Sequence, residues 1–251
     1  MPMLSKTFVK YIQSLHHKKF RDADSVFIAE GIKVVQELLL SGKLVCKTIV
    51  IEKKASEAKE IHIPNGINAE LLIAEDFEME KISALTTPST VLSVFEKPWQ
   101  APIGLSGKLS IVLDTIQDPG NLGTIIRIAD WFGVDTIICT PHCVDVYNPK
   151  VVQSTMGSIA RVQVYYADVV PLLEAVSGKL PIYATSLNGE NLFAAEKITE
   201  GVIIIGNESK GVSDEVFALA DKKITIPGSG RAESLNAAVA TGIVLSHLLK
   251  I

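Results

Sequence analysis

Three short stretches of this chain carry side chains that do chemistry when a fold brings them together. The first is Asp114-Thr-Ile-Gln-Asp-Pro-Gly-Asn121, running on through Leu122, Gly123 and Arg127. Asn121 has the side chain of a good helix N-cap. Gly123 and Arg127 lie four apart, on one face of the helix that follows. The glycine leaves room above the backbone, and the arginine reaches along that face toward whatever fills the gap. Arg127 stands among Ile125, Ile126, Ile128 and Ala129. A guanidinium in so apolar a setting requires a partner, either a ligand or a structural carboxylate such as Asp130 or Asp114. The second stretch is Ile205-Gly206-Asn207-Glu208-Ser209-Lys210-Gly211, where two glycines bracket an amide and a carboxylate directly after an apolar run. Glycine lets backbone amides approach a ligand closely, and Asn207 and Glu208 either read a hydroxyl or pair with Arg127. The third is Ile226-Pro227-Gly-Ser-Gly-Arg-Ala-Glu-Ser234-Leu235-Asn236. A strand stops at proline, passes two glycines and enters a helix near Ser234, which is placed to cap it. The small residues Ala237, Ala238, Ala240 and Gly242 let another backbone pack closely on that helix. A fourth stretch, Thr185-Ser-Leu-Asn-Gly189, is polar and turn-forming.

Other chemistries find no support. The pattern of a P-loop is absent, and so is a Gly-x-Gly-x-x-Gly loop after the first strand of either half. His142 and Cys143 do not form a metal-ligand set with fitting spacing, so no metal site is expected. Cys46, Cys139 and Cys143 are too few and too scattered for a disulfide framework, and a reducing cytoplasm is the natural compartment. No apolar run approaches the roughly 20 residues that span a bilayer, and the first residues show neither an apolar core nor a cleavage site of a secretory signal.

The elements that must position these loops follow from periodicity. Leu109–Leu113, Thr136–Cys139, Val162–Tyr165, Ile182–Thr185, Val202–Ile205 and Ile224–Ile226 read as strands. Helices are expected over Asn121–Phe132, after Asn148-Pro149, and from about Ser234 to Leu249. Such alternation predicts a mostly parallel sheet covered on both faces, with its ligand outside the carboxyl ends of the strands. The four polar stretches are the loops at those ends. Ahead of this unit, Ser25–Ala29, Cys46–Ile51, Leu71–Ile73 and Val91–Phe95 read as strands. Gly31–Leu40 and the stretch near Asp76–Leu85 read as helices, a smaller α/β arrangement. Residues 97–108, with two prolines and two glycines, mark a linker. The expected division is therefore a domain over 1–97, a linker over 98–108, and a second domain over 109–251.

The net charge of −4 argues against a chain that holds nucleic acid by bulk electrostatics. The charge is uneven, with 13 Lys+Arg against 13 Asp+Glu in residues 1–104 and 11 against 15 in the remainder. Lys6, Lys10, Lys18, Lys19 and Arg21 cluster beside His16 and His17, either as a solvated helix surface or as a local phosphate-contacting patch.

Taken together, the three loops resemble the three motifs of the SpoU/TrmH-type RNA ribose 2′-O-methyltransferases of the SPOUT superfamily. The first motif matches at Asn121, Gly123 and Arg127. The second matches at Gly206, Asn207, Glu208 and Gly211, and the third at Ile226, Pro227, Ser234, Leu235 and Asn236. Val144–Val152 also looks like this family. The likeness covers residues of about 108–251. Glu30-Gly31 and Thr87–Lys97 resemble, more loosely, the small α/β substrate-binding domain that precedes the catalytic domain in many members. The chain departs from the pattern at Gly228, where methionine is common, at Ser209, where a second glycine is common, and at Gln153, where arginine is frequent.

The resemblance implies an α/β catalytic domain with a deep trefoil knot, a homodimer whose active site is completed across the interface, and S-adenosylmethionine as cofactor. It implies methylation of a ribose 2′-hydroxyl in RNA, with ribosomal RNA ahead of transfer RNA as the target because a separate recognition domain suits a structured substrate. Cofactor contacts fall to Thr185, Gly206, Ile226 and Leu235. Arg127 is the residue to which the family gives proton abstraction. A guanidinium is effectively never deprotonated in proteins, so stabilisation of the developing alkoxide is the more physical role, the proton passing to an RNA phosphate or water. Asn121, Glu208, Ser234 and Asn236 complete the catalytic set, the last three orienting Arg127 and the ribose. The alternative is an RNA-binding or ribosome-assembly protein that keeps the fold without catalysis.

Overall fold

A computed structural model of the chain describes residues 4–250. In chain order the first part forms α1 (Lys6–Ser14), α2 (Lys18–Asp24), β1 (Val26–Glu30), α3 (Ile32–Leu40), β2 (Cys46–Glu52), α4 (Lys53–Glu57), β3 (Glu70–Ala74), α5 (Asp76–Ile82) and β4 (Val91–Glu96). The rest forms β5 (Leu109–Leu113), α6 (Pro119–Trp131), β6 (Thr136–Cys139), α7 (Pro149–Thr155), β7 (Gln163–Tyr166), α8 (Val169–Val176), β8 (Ile182–Asn191), β9 (Gly201–Ile205), α9 (Asp214–Phe217), β10 (Lys222–Thr225) and α10 (Ala237–Leu248).

The described residues divide into two compact units. One comprises those up to Trp99 together with Asp145–Arg161; the other comprises Gln100–Val144 and the residues from Val162 onward. A division with a single crossing at 98–108 leaves Asp145–Arg161 in the second domain, whereas their packing groups them with the first unit. The reason is local. Helix α7 packs against β1, and Asp145 receives the buried Arg21 guanidinium from α2 at 2.5 Å. Arg21 is 2% exposed, and its Nη1 also donates to the carbonyls of Leu15 and His16. This takes Arg21 out of the basic cluster seen in the sequence, and Lys18 is paired with Asp22. Lys6, Lys10 and Lys19 remain exposed.

The first unit holds a four-stranded sheet in the order β1-β4-β2-β3. Only β2 and β3 are parallel; β4 runs antiparallel to both of its neighbours. Its core gathers Ile12 and Leu15 of the N-terminal helix region, Met79 and Ile82 of α5, and Val26, Ile28, Val50, Leu92 and Val94 from the sheet.

The second unit is a six-stranded sheet in the order β10-β8-β9-β5-β6-β7. Every pair is parallel, so the sheet is wholly rather than mostly so. Strands β5 and β9 are buried at every residue, as expected for central strands covered on both faces. Parallel strands put all their carboxyl ends on one side, and that alone gathers the loops after β5, β8, β9 and β10. Strand β8 runs to Asn191, six residues beyond the length its apolar run predicts, because β10 resumes pairing with it after a bulge at Ile224↔Glu190. Gly189 makes this possible, since a Cβ there would lie 2.5 Å from the Lys223 carbonyl oxygen. Among the described residues, no helix is long and apolar enough to cross a membrane.

A candidate active site at the strand ends of the parallel sheet

The site is built on two stapled loops. At the end of β5, Asp114 is buried, and its Oδ2 accepts the Ser213 amide at 2.8 Å. Its Oδ1 accepts the Thr115 hydroxyl at 3.0 Å. Asp114 is therefore committed to the loop after β9 and is not the partner of Arg127. Thr115 has φ of 59°, a left-handed conformation uncommon for a β-branched residue. Hydrogen bonds hold it there. Its amide donates to Thr140 Oγ1 at 2.9 Å, and its carbonyl accepts from Asn207 Nδ2 at 2.9 Å.

The second loop closes on itself. The Asn207 and Gly211 main chains exchange hydrogen bonds of 3.0 and 2.8 Å. Gly211 has φ of 71°, and a Cβ on Gly206 would lie 2.3 Å from the Gly211 carbonyl carbon. Gly206 is thus required first by the loop's own backbone. Asn207 Oδ1 accepts the amides of Ser209 and Lys210 while its Nδ2 reaches Thr115. Both ends of Asn207 are spent on architecture, so it reads no hydroxyl and does not pair with Arg127. What it does is present the next residue, Glu208.

Glu208 accepts a hydrogen bond from Asn121 Nδ2, and Asn121 Oδ1 accepts one from Asn236 Nδ2 at 2.8 Å. Residues from three separate loops, 115 positions apart at the extremes, meet in one chain of side chains. Two expectations about caps are corrected here. The N-cap of α6 is Asp118, whose Oδ1 accepts the Asn121 amide at 2.7 Å, with Pro119 in the first turn. Proline at that position needs no donor, so the helix starts two residues earlier and the Asn121 side chain is released for the site. The N-cap of α10 is Asn236, which accepts from the amides of Ala238 and Val239, and not Ser234. Asn236 caps through Oδ1 and donates through Nδ2, one residue serving both ends.

Ser234 is exposed, Leu235 is 44% exposed, and Ile226 is half-buried at the end of the sheet. The stretch Thr185–Gly189 is not a turn: it lies inside β8, where Thr185 is half-buried and its Oγ1 donates to the Ile204 carbonyl at 3.1 Å. Arg127 is not where its neighbours in sequence suggest. Ile125, Ile126 and Ala129 are buried, but Arg127 is on the exposed side of α6. The helix separates the two faces at 100° per residue, so an arginine between isoleucines needs no buried partner. It stands six residues, or about 9 Å of helix rise, beyond Asn121, and among the described residues no hydrogen bond or ion pair joins it to the Glu208–Asn121–Asn236 chain. The small residues of α10 pack inside this unit: Ala237 and Ala238 are buried, α10 lies on α6, and Gly242 faces Ile128.

Sequence reasoning missed Asp114, Thr115 and Asp118 as the residues that shape the loops. Asp118-Pro119 carried a readable signal, an N-cap side chain followed by proline. Thr115 carried none. Near these loops, Cys143 Sγ accepts the Ile116 amide at 3.2 Å. Hydrogen bonding from Cys139, with Thr140 and Ile116 adding to it, brings the Cys143 thiol down to about 7, while its role as donor and its burial hold Cys139 well above the usual thiol range. Among the described residues, no group of three or more His, Cys, Asp or Glu is arranged to hold a metal ion.

A wholly parallel sheet, loops stapled at its carboxyl ends and an amide–carboxylate chain across three of them define the class. Residues 108–246 match the SpoU rRNA Methylase family, and the chain belongs to it. Residues 6–93 match the MRM3-like substrate binding domain. The chain is 30% identical to the Bacillus subtilis protein named 23S rRNA (guanosine(2553)-2′-O)-methyltransferase RlmP, over 96% of this chain and 95% of that one. Its fold is similar to the AdoMet-bound rRNA methyltransferase of Sinorhizobium meliloti, with a TM-score of 0.84 and 32% identity over 100% of this chain and 98% of that one. It is also similar to the SpoU methyltransferase AviRb of Streptomyces viridochromogenes in complex with AdoMet, with a TM-score of 0.81 and 25% identity over 97% of each chain.

Proposed function

We propose that this protein transfers the methyl group of S-adenosylmethionine to a ribose 2′-hydroxyl of ribosomal RNA, with transfer RNA as the second choice of target. The observation that carries the reading is the hydrogen-bonded chain Asn236–Asn121–Glu208, which joins the family's three motifs in one place. The names and cofactor complexes of the relatives above support the reaction class.

The residues at the strand ends suit the cofactor. Thr185, Gly206, Ile226 and Leu235 are uncharged. The exposed Leu235 side chain offers an apolar face to a purine, and the turns around Gly206 and Ile226 offer main-chain groups to its polar edges. When bound, S-adenosylmethionine supplies an electrophilic methyl carbon on a sulfonium sulfur. The protein's own part is to orient the ribose hydroxyl toward that carbon. Preorganised donors do this without reorganising during the reaction. Arg127 is a permanent cation with five donors, and its exposed position on α6 fits a role in the site of a partner subunit. We therefore assign a homodimer in which each Arg127 completes the other protomer's site, with Ser234 and Asn236 orienting the ribose. The same reading includes the trefoil knot, formed as the chain leaves β10 at the sheet edge and returns as α10 against α6, and a cytoplasmic location, which suits three free thiols.

The test is incubation with labelled S-adenosylmethionine and ribosomal RNA, followed by digestion and identification of the labelled nucleoside. A 2′-O-methylated nucleoside that vanishes with Arg127→Ala is the expected result. Label on a base overturns the ribose assignment. No label, with RNA binding retained, favours an RNA-binding protein without catalysis.

A further inference from the structure

Accepting that reading of the reaction, the geometry points to a specific role for one residue: we propose that Glu208 takes the proton of the attacking ribose hydroxyl. The side-chain chain has a direction. Asn236 Oδ1 is fixed by two main-chain donors, the amides of Ala238 and Val239 at 3.0 and 3.2 Å. An amide so held can offer only its NH2 group on the other side. Asn121 must then present Oδ1 to Asn236, at 2.8 Å, and turn its own NH2 toward Glu208. The polarity of the whole chain is set by the start of α10, and it ends on an acceptor. A carboxylate satisfies that demand, with Oε1 receiving Asn121.

Among the described residues, Glu208 Oε2 has no hydrogen-bond partner, and the residue is half-buried. The other side-chain oxygens of the chain are committed. Asn121 Oδ1 and Asn236 Oδ1 are engaged, Asp114 is tied to Ser213 and Thr115, and Asp118 caps α6 on the exposed side. Arg127 has no acceptor at all. Within the Asn236–Asn121–Glu208 chain, Glu208 Oε2 is the anionic oxygen left available.

The chemistry asks for such a group. An oxygen lone pair of the hydroxyl forms the new O–C bond to the methyl carbon. The C–S bond breaks, and its electron pair stays on sulfur as a neutral thioether. The O–H proton passes to Glu208 Oε2, giving a neutral carboxylic acid that later returns the proton to water. The hydroxyl becomes strongly acidic only as the O–C bond forms, so a carboxylate is a sufficient acceptor late in the transfer, where a positioned base accelerates it.

Glu208→Gln separates this from a purely orienting role. The glutamine Oε1 still accepts from Asn121, so loop and chain persist, but no proton can be taken. The expected result is a fall in kcat of about 10²- to 10⁴-fold, with KM for RNA, the melting temperature and the calorimetric Kd for S-adenosylmethionine unchanged. Glu208→Asp restores part of the lost kcat. A Glu208→Gln enzyme with kcat close to wild type overturns the proposal and leaves the proton to water or an RNA phosphate. Loss of cofactor binding or of melting temperature in that variant also overturns it, because Glu208 is then architectural. If the wild-type chain methylates no ribose, the functional reading itself fails, a result seen before any variant is made.

Discussion

The two units use polar side chains in opposite ways. In the first, Arg21 is 2% exposed and tied to Asp145, with further bonds to two carbonyls, so a charge is sunk into the core to fasten the returning segment 145–161. In the second, Asn121, Glu208 and Asn236 lie at or near the surface, and the sheet holds them. There a buried carboxylate, Asp114, shapes the loops while the reactive groups stay reachable. The sheets explain the contrast. A mixed sheet such as β1-β4-β2-β3 distributes its loops to both ends, while a wholly parallel one collects them at one. Polar residues support the fold in the first unit; the fold supports polar residues in the second.

That contrast can be broken by substitution. The largest effect is expected from Asp145→Ala, which strands a buried guanidinium and destabilises the chain by about 3–5 kcal/mol, read as a loss of denaturant midpoint. A drop no larger than a surface substitution would mean that Arg21 finds another partner and the contrast is false. Arg127→Ala is the mirror image. It is expected to lower kcat by about 10²- to 10³-fold while leaving the melting temperature in place, since the residue is exposed. Gly206→Ala should cost both, because the added methyl meets the Gly211 backbone. About 1–3 kcal/mol of stability is expected to go, as for overpacking elsewhere, together with calorimetric affinity for S-adenosylmethionine.

Asn236 sharpens the comparison, because it has one foot in each role. Asn236→Ala should lose about 1 kcal/mol of stability through the missing cap as well as activity. Asn236→Asp keeps the cap but has no NH2 group for Asn121, so the melting temperature should hold while kcat falls. Equal activity in the two proteins would show that the side-chain chain is not needed. The smallest effect concerns the thiols. Cys143, held near 7, should be alkylated by a small reagent at a rate that rises with pH through that value. Cys46, pushed up to about 12 by burial, and Cys139 should stay unlabelled in the folded protein. Mass spectrometry of the labelled peptides reads this directly.

Much was decided by the sequence alone. Leu109–Leu113 and Thr136–Cys139 are strands at the residues their apolar runs mark, and the parallel sheet follows from strand–helix alternation. The three loops were legible as a set because glycines, amides and carboxylates stood after apolar strands, and β-structure ends where such residues begin. Periodicity, read on Leu122, Ile125, Ile126 and Ala129, already turns Arg127 outward, as the structure has it. The tertiary structure decided the rest. Periodicity could not choose Asn236 over Ser234, or Asp118 over Asn121, as the caps, since each is a good capping residue and the choice turns on where the neighbouring loop ends. Nor could it show that β8 continues to Asn191, because that strand is held by β10 and the glycine that lets it pass. Local sequence fixes which conformations are cheap; the side-chain chain from Asn236 to Glu208 exists only because long-range packing brings residues 121, 208 and 236 within hydrogen-bond reach.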